Sequence, residues 1–382
     1  MTFPLSRAQT ERYSRQLLIP GFGVQGQLGL LKGSVLIVGC GGLGSPCALY
    51  LASSGVGRIG LLDFDVVDVS NLHRQIIHNH NTLGLPKTQS AAQSILALNP
   101  SVHVVQHATA LDDAGKALEI IKEYDVVVDA SDNVLTRYLV NDVCMHLGKA
   151  LVSGSALRWE GHLTTFLPRR ESPCYRCLYP TPTPPSAVTN CESGGILPPV
   201  VGTIGTLQAM EVIRLLSGHS PNYAGKMLLY DAATGNFRTV KLRGSREECA
   251  ACNNAIDFIN FDYRAFSGSG VCDKALPLKL LSPEERVTVQ QYNLQDYQMV
   301  IDVRPKEQFE ICSLSGSVNI QLDSLESIDM DKAAPILTVC RRGNQSQKAV
   351  IKLKSLGYTN VKDLIGGVTA YAQQIDPEFP LY

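Results

Sequence analysis

The chain has 382 residues, 45% hydrophobic and 18% charged, with 34 Lys and Arg against 35 Asp and Glu and a net charge of -1. That balance argues against a general nucleic-acid binder, and direct nucleic-acid binding is not expected. No run of about 18 apolar residues offers a membrane span, and the polar N-terminus lacks the apolar stretch of a secretory signal. At roughly 100–200 residues per domain, the length predicts two or three domains. Eleven cysteines cannot all pair internally, and several form CxxC pairs. Metal ligation and thiol chemistry in a reducing cytosol are expected over a disulfide framework.

Residues 1–32 read as helical with a Gly-rich break. Val35–Val38 is a short apolar run ending in glycines, the pattern of a strand buried on both faces of a parallel sheet. Leu43–Ser54 has helix length, Arg58–Asp63 reads as a second strand, and His103–His107 and Asp125–Asp129 as further strands. Helical-length segments, Thr88–Leu98 and Gly115–Glu123, lie between them. Strands alternating with helices predict an α/β fold with an open, doubly wound, Rossmann-like sheet. Residues 168–200 are dense in Pro, Thr, Ser and Gly and predict a mobile loop without regular structure. The helical pattern resumes at Thr203–Ser217, followed by strands at Lys226–Tyr230 and Phe237–Leu242. The expected boundaries are a first domain at 1–264, a Gly/Ser/Pro linker at 265–279 and a smaller α/β domain at 280–382. In the latter, Met299–Val303 and Ile336–Val339 read as strands and Gln345–Leu356 as a helix.

The run Gly39-Cys40-Gly41-Gly42-Leu43-Gly44 is a GxGxxG fingerprint between a strand and a helix. Glycines let backbone approach phosphate closely, and the helix N-terminus beyond offers unpaired N–H groups. Asp63 ends the next strand, where a carboxylate can accept both ribose hydroxyls. Taken alone, this fits a nicotinamide-dependent dehydrogenase equally well. Arg74 and Lys87 shift the reading, because two cations beside a glycine loop suit a triphosphate. Asp132, followed by Asn133, suits Mg2+, which prefers a carboxylate or two plus phosphate oxygens.

Cys174 and Cys177, with Cys249 and Cys252, form two CxxC pairs separated by 71 residues. Four thiolates complete a closed tetrahedral shell for structural Zn2+; redox-active dithiols are the alternative. Cys191 lies between the pairs and is left over after such ligation, as a reactive or a bystander thiol. Cys340 follows a strand and opens Cys340-Arg341-Arg342-Gly343-Asn344-Gln345-Ser346. A turn of that kind can direct backbone N–H groups at a thiolate or persulfide, and two arginines add positive potential.

GCGGLG, the DFD after a strand, SNLHRQ, Lys87 and SDN together resemble the ubiquitin-activating-enzyme-like adenylyltransferases over about residues 10–255. The resemblance implies a nucleotide site of Gly42, Asp63, Ser70, Asn71, Leu72, His73, Arg74, Lys87, Asp132 and Asn133, using ATP and Mg2+. Arg15, in ERYSRQ, resembles a family arginine that reaches the partner subunit's nucleotide, which implies a homodimer. The implied partner is a ubiquitin-like protein ending in Gly-Gly, whose carboxylate attacks the α-phosphate. The two CxxC pairs occur in this family too. A cysteine at the place of Cys191 there forms a thioester or resolves a disulfide.

VIDVRP at 300–305, the CxxGNxS loop and the glycines at 366–367 are similar to a rhodanese domain, which carries sulfur as a cysteine persulfide, here on Cys340. The combination resembles the eukaryotic-type adenylyltransferase and sulfurtransferase group, which serves molybdopterin synthesis and tRNA thiolation. It implies a thiocarboxylate product and a sulfur donor such as a cysteine desulfurase or sulfurtransferase. Many members of that group carry an acid where Gln345 stands, so loop polarity differs here. A modifier activator that passes a Cys191 thioester to a conjugation pathway is one rival reading. A non-catalytic scaffold for a ubiquitin-like protein is another.

Overall fold

Val35, Leu36, Ile37 and Val38 are all buried and form strand β1, Ser34–Val38. Side chains alternate across a strand. Val35 and Ile37 therefore enter one hydrophobic cluster, and Leu36 and Val38 a second on the other face. Helices Gly44–Ser54, Lys87–Leu98 and Pro198–Leu216 supply apolar side chains to the first cluster. Helices Ala114–Ile121 and Val134–Leu147 supply the second. The sheet is thus sandwiched between helices, the arrangement a continuous apolar strand requires.

The computed structural model describes residues 3–183, 194–268 and 278–382. It divides into two units, Met1–Asp273 and Lys274–Tyr382. The first holds β2 (Arg58–Leu62), β3 (His103–His107), β4 (Val126–Asp129), β5 (Ala150–Leu157), β6 (Glu160–Phe166), β7 (Lys226–Asp231) and β8 (Asn236–Lys241) besides β1. Their spatial order is β3-β2-β1-β4-β5-β6-β7-β8. The first five are parallel and the last three are added antiparallel. Strand order reverses between β1 and β4, which opens a crevice beyond their carboxyl ends.

Three features depart from the sequence reading. The helix Pro198–Leu216 begins inside the segment expected to be irregular, because its two prolines occupy the first turn, where a missing N–H costs nothing. Strands β5 and β6 carry glycines that hide their pattern. A Cβ on Gly154 would lie 2.6 Å from Gln208, and one on Gly161 2.4 Å from Ile204, so both glycines admit the Pro198–Leu216 helix against the sheet. One helical turn, Tyr175–Leu178, also falls within the expected loop.

The second unit holds a wholly parallel sheet of β9 (Arg286–Val287), β10 (Met299–Asp302), β11 (Ser317–Asn319), β12 (Ile336–Val339) and β13 (Val361–Leu364), ordered β11-β10-β12-β13-β9. Val300, Leu337 and Val339 face one cluster, and Ile301 and Ile336 the other. Asp302, at the end of β10, is fully buried and accepts the Arg304 Nε at 2.9 and 3.0 Å and its backbone N–H at 3.0 Å. Among the described residues no helix is long and apolar enough to cross a membrane. Removing one partner of a buried ion pair strands the other charge. Arg304→Met is therefore expected to destabilise the second unit by about 3 kcal/mol, read from denaturant unfolding.

Candidate active sites

The crevice at the ends of β1 and β4 is a cleft of about 580 Å³. Its floor is the glycine turn. Gly39 has φ +99°, and a Cβ there would lie 2.7 Å from the Ala130 carbonyl at the end of β4. A Cβ on Gly44 would lie 1.9 Å from the Gly39 carbonyl. No other residue type fits either position without moving backbone. Asp63, just past β2, accepts the Cys40 N–H at 2.8 Å and the Asp65 N–H at 2.9 Å.

Charge in the cleft is organised around Lys87, the first residue of its helix. Its Nζ lies 2.8 Å from Asp65 Oδ2. Burial works to lower the Lys87 pKa, but Asp63 and Asp65 outweigh it, and the net shift is upward. Burial raises the Asp63 pKa, with Lys87 pulling it back. Arg74 donates to the Ser70 carbonyl at 3.0 Å and to Asn71 Oδ1 at 3.1 Å, and it lines the cleft. Asn133 caps the helix Val134–Leu147 by accepting the Thr136 N–H at 3.0 Å. Its neighbour Asp132 is thereby held at the helix entrance, exposed to the cleft.

Of the nucleotide residues expected from sequence, Gly42, Asp63, Asn71, Arg74, Lys87, Asp132 and Asn133 all line this cleft. Ser70, Leu72 and His73 are not in its lining; Ser70 instead donates its N–H to Asp68, which caps the turn, and His73 Nδ1 lies 2.9 Å from the Ser70 carbonyl. Arg15 is exposed in the last turn of the helix Arg7–Leu17. Cys191 lies outside the described residues. Sequence reasoning missed Asp65, visible only as the second acid of DFD, and Arg137. Arg137 donates to the carbonyls of Ser131 at 2.6 Å and Gly154 at 3.1 Å and lines the cleft.

The four cysteines of the CxxC pairs meet. Their sulfurs lie within 4.8 Å of one another, with Cys174–Cys249 and Cys177–Cys252 at 3.6 Å and Cys174–Cys177 at 3.8 Å. These are not disulfide distances. A Zn–S bond of about 2.3 Å places the thiolates of a tetrahedron about 3.8 Å apart, so the donor set fits a metal ion. Arg176, between the first two cysteines, pairs with buried Asp142 at 2.7 Å, and the rings of Tyr138, Phe261 and Phe266 surround its guanidinium. Tyr263 donates its hydroxyl to the same carboxylate at 2.8 Å.

In the second unit, Cys340 follows β12 and is 2% exposed. Its sulfur accepts the Gly343 N–H at 3.2 Å and lies 3.4 Å from Ser346 Oγ. The N–H groups of Val368 and Thr369, opening the helix Gly367–Gln374, donate to the carbonyls of Cys340 and Arg341, each at 3.0 Å. A Cβ on Gly367 would lie 2.0 Å from the Cys340 carbonyl, which explains a glycine there. Ser346 Oγ reaches Asp363 at 3.3 Å, and Asp363 is clasped by Arg286 at 2.7 and 2.9 Å. Arg341 lies over the Tyr382 ring at 4.6 Å.

Comparison with known proteins finds a family match in each unit. Residues 13–251 match the ThiF family, more than half of the chain. The chain belongs to the ThiF family. Residues 288–374 match the rhodanese-like domain. The adenylyltransferase and sulfurtransferase MOCS3 of Xenopus laevis is 48% identical over 97% of this chain and 88% of its own length. That of Bos taurus is 45% identical over 99% and 89%. Among solved structures, E. coli MccB with ATP superposes with a TM-score of 0.55 at 24% identity, covering 63% of this chain and 73% of that one, a likeness of fold.

Lys87 offers a test of the charge arrangement. Without it, the Asp63 pKa rises further. A carboxyl whose folded pKa is raised holds its proton more tightly folded than unfolded, so stability falls as pH climbs through that pKa. Lys87→Met should therefore depress Tm more at about pH 7.5 than at about pH 4.5, relative to the unsubstituted protein.

Proposed function

We propose that the chain adenylates the C-terminal glycine of a ubiquitin-like sulfur carrier and then converts it to a thiocarboxylate with sulfur held on Cys340. One observation carries this reading. A cation-lined crevice beyond the parallel strands of one sheet and a thiol cradled beyond a second, wholly parallel sheet occur in the same chain. The first suits activation of a carboxylate by ATP, and the second suits storage of an anionic sulfur nucleophile. The names of the relatives, adenylyltransferase and sulfurtransferase, support the pairing.

In this reading Arg74 and Lys87 neutralise the phosphates, Asp63 orients the ribose, and Asp132 holds Mg2+, which would add positive charge at the phosphate oxygens. Gly42 lets backbone approach the phosphates, and Asn71 and Asn133 hold Arg74 and Asp132 in place. Ser70, Leu72 and His73 shape the turn that delivers Arg74. Arg15 reaches the nucleotide of a second copy in a homodimer. The carrier's carboxylate oxygen attacks the α-phosphorus, forming an acyl-adenylate and releasing pyrophosphate. Catalysis is by positioning and charge, with little covalent work from the protein.

The terminal sulfur of a Cys340 persulfide, loaded by a cysteine desulfurase or sulfurtransferase, then attacks the acyl carbon and expels AMP. The product is an acyl disulfide on Cys340. A second thiol, Cys191, attacks the Cys340 sulfur, which releases the thiocarboxylate and leaves a Cys191–Cys340 disulfide for a dithiol reductant to reopen. Cys174, Cys177, Cys249 and Cys252 hold Zn2+ as a structural ion. Thiol-dependent chemistry of this kind belongs in the reducing cytosol. The carrier decides whether the sulfur enters molybdopterin or a tRNA wobble uridine.

The deciding experiment is ATP–pyrophosphate exchange with small Gly-Gly-tailed proteins, followed by mass measurement of the carrier. Exchange and a gain of one sulfur are expected. Cys340→Ala should keep exchange and lose the mass gain, whereas Arg74→Ala should lower exchange by about a hundredfold. No exchange with any such carrier would reject the reading. Elemental analysis should find one zinc per chain, and Cys177→Ser should lose it and lower Tm.

A further inference from the structure

His78 lies outside every role assigned above, yet it is buried at 5% exposure directly behind the glycine turn. Its Nε2 is 2.9 Å from the Cys40 carbonyl and its Nδ1 is 2.9 Å from Ser90 Oγ. A carbonyl only accepts, so Nε2 carries the proton that bonds Cys40. Ser90 Oγ lies 2.8 Å from Thr82 Oγ1, and Thr82 in turn bonds the backbone of Asn79. Burial works to lower the His78 pKa and the bond to the Cys40 carbonyl to raise it, and the net shift is downward.

The bond to Cys40 acts at a sensitive place. Cys40 is held on both sides, with its N–H on Asp63 and its carbonyl on His78. In a planar trans peptide the carbonyl and the following N–H point in opposite directions. Drawing the Cys40 carbonyl back toward His78 therefore turns the Gly41 N–H the other way, toward the cleft that Gly41 lines. Ser90 also sits one turn into the helix that begins with Lys87. One side chain thus ties the glycine turn to the helix carrying the buried cation.

We propose that His78 is a positioning residue for ATP: it fixes the Cys40–Gly41 peptide so that the turn presents its amide to the phosphates in register with Lys87. The substitution His78→Phe keeps the ring and removes both hydrogen bonds, while His78→Gln keeps an N–H donor for the Cys40 carbonyl. The readouts are the KM values for ATP and for the carrier protein in pyrophosphate exchange, with Tm as a check on folding.

For His78→Phe, the KM for ATP should rise about tenfold or more, as expected for loss of one aligned hydrogen bond and its dependent contact, with the carrier KM unchanged. His78→Gln should recover most of that loss. An unchanged ATP KM in His78→Phe, or equal rises in both KM values, overturns the proposal. If His78→Phe does not fold, Ser90→Ala decides: a selective rise in ATP KM supports the proposal and an unchanged value overturns it. An enzyme with no exchange activity on any carrier instead rejects the adenylation reading; direct ATP binding by calorimetry on the same variants then still tests His78.

Discussion

Two neighbouring parallel strands whose successors leave in opposite directions cannot have their ends covered by the same connection. In the first unit β1 leads toward β2 and β4 leads toward β5, and the space beyond the closely packed Gly39 and Ala130 is left open. The charged side chains of the cleft are arranged around the gap. The turn after β1 supplies close-lying backbone, the turn after β2 supplies Asp63 and Asp65, and the turn after β4 supplies Asp132. Lys87 arrives from a helix start, draws down the Asp63 pKa that burial raises, and pairs with the exposed Asp65.

The second unit solves a different problem with the same parts. It too places its functional atom just past a buried parallel strand, β12, and opposes it with a helix entrance, at Gly367. There the backbone amide of Gly343 addresses a sulfur. Amide donors beyond strand ends are indifferent to whether the anion is phosphate or thiolate; the depth of the pocket and the cations at its rim decide.

Most of the scaffold was legible because its strands are short, apolar and bounded by glycine, and its cysteines are spaced for a metal. What escaped had physical reasons. Strands β5 and β6 received no assignment because Gly154 and Gly161, required by a helix that lies on them, interrupt their pattern. Prolines 198 and 199 looked like breakers because their value at a first helical turn depends on where the helix begins. His78 and Arg137 gave no sign at all. Each acts on a backbone carbonyl far away in sequence, His78 on Cys40 and Arg137 on Gly154, and such pairings have no periodicity. The placing of Ser70, Leu72 and His73 outside the cleft wall shows the converse: a motif can be contiguous while only some of its side chains face the cleft.

The arginine between Cys174 and Cys177 bears on how the thiol cluster comes together. Arg176 is gripped by Asp142 and enclosed by rings from residues 138, 261 and 266. Segments distant in the chain are therefore gathered around one helix by contacts that involve no sulfur. A metal ion entering the cluster would meet ligands already assembled, so its affinity would not be spent on ordering loose chain. Its release, by the same reasoning, would open the cluster locally while the aromatic enclosure kept the donors within reach for reloading.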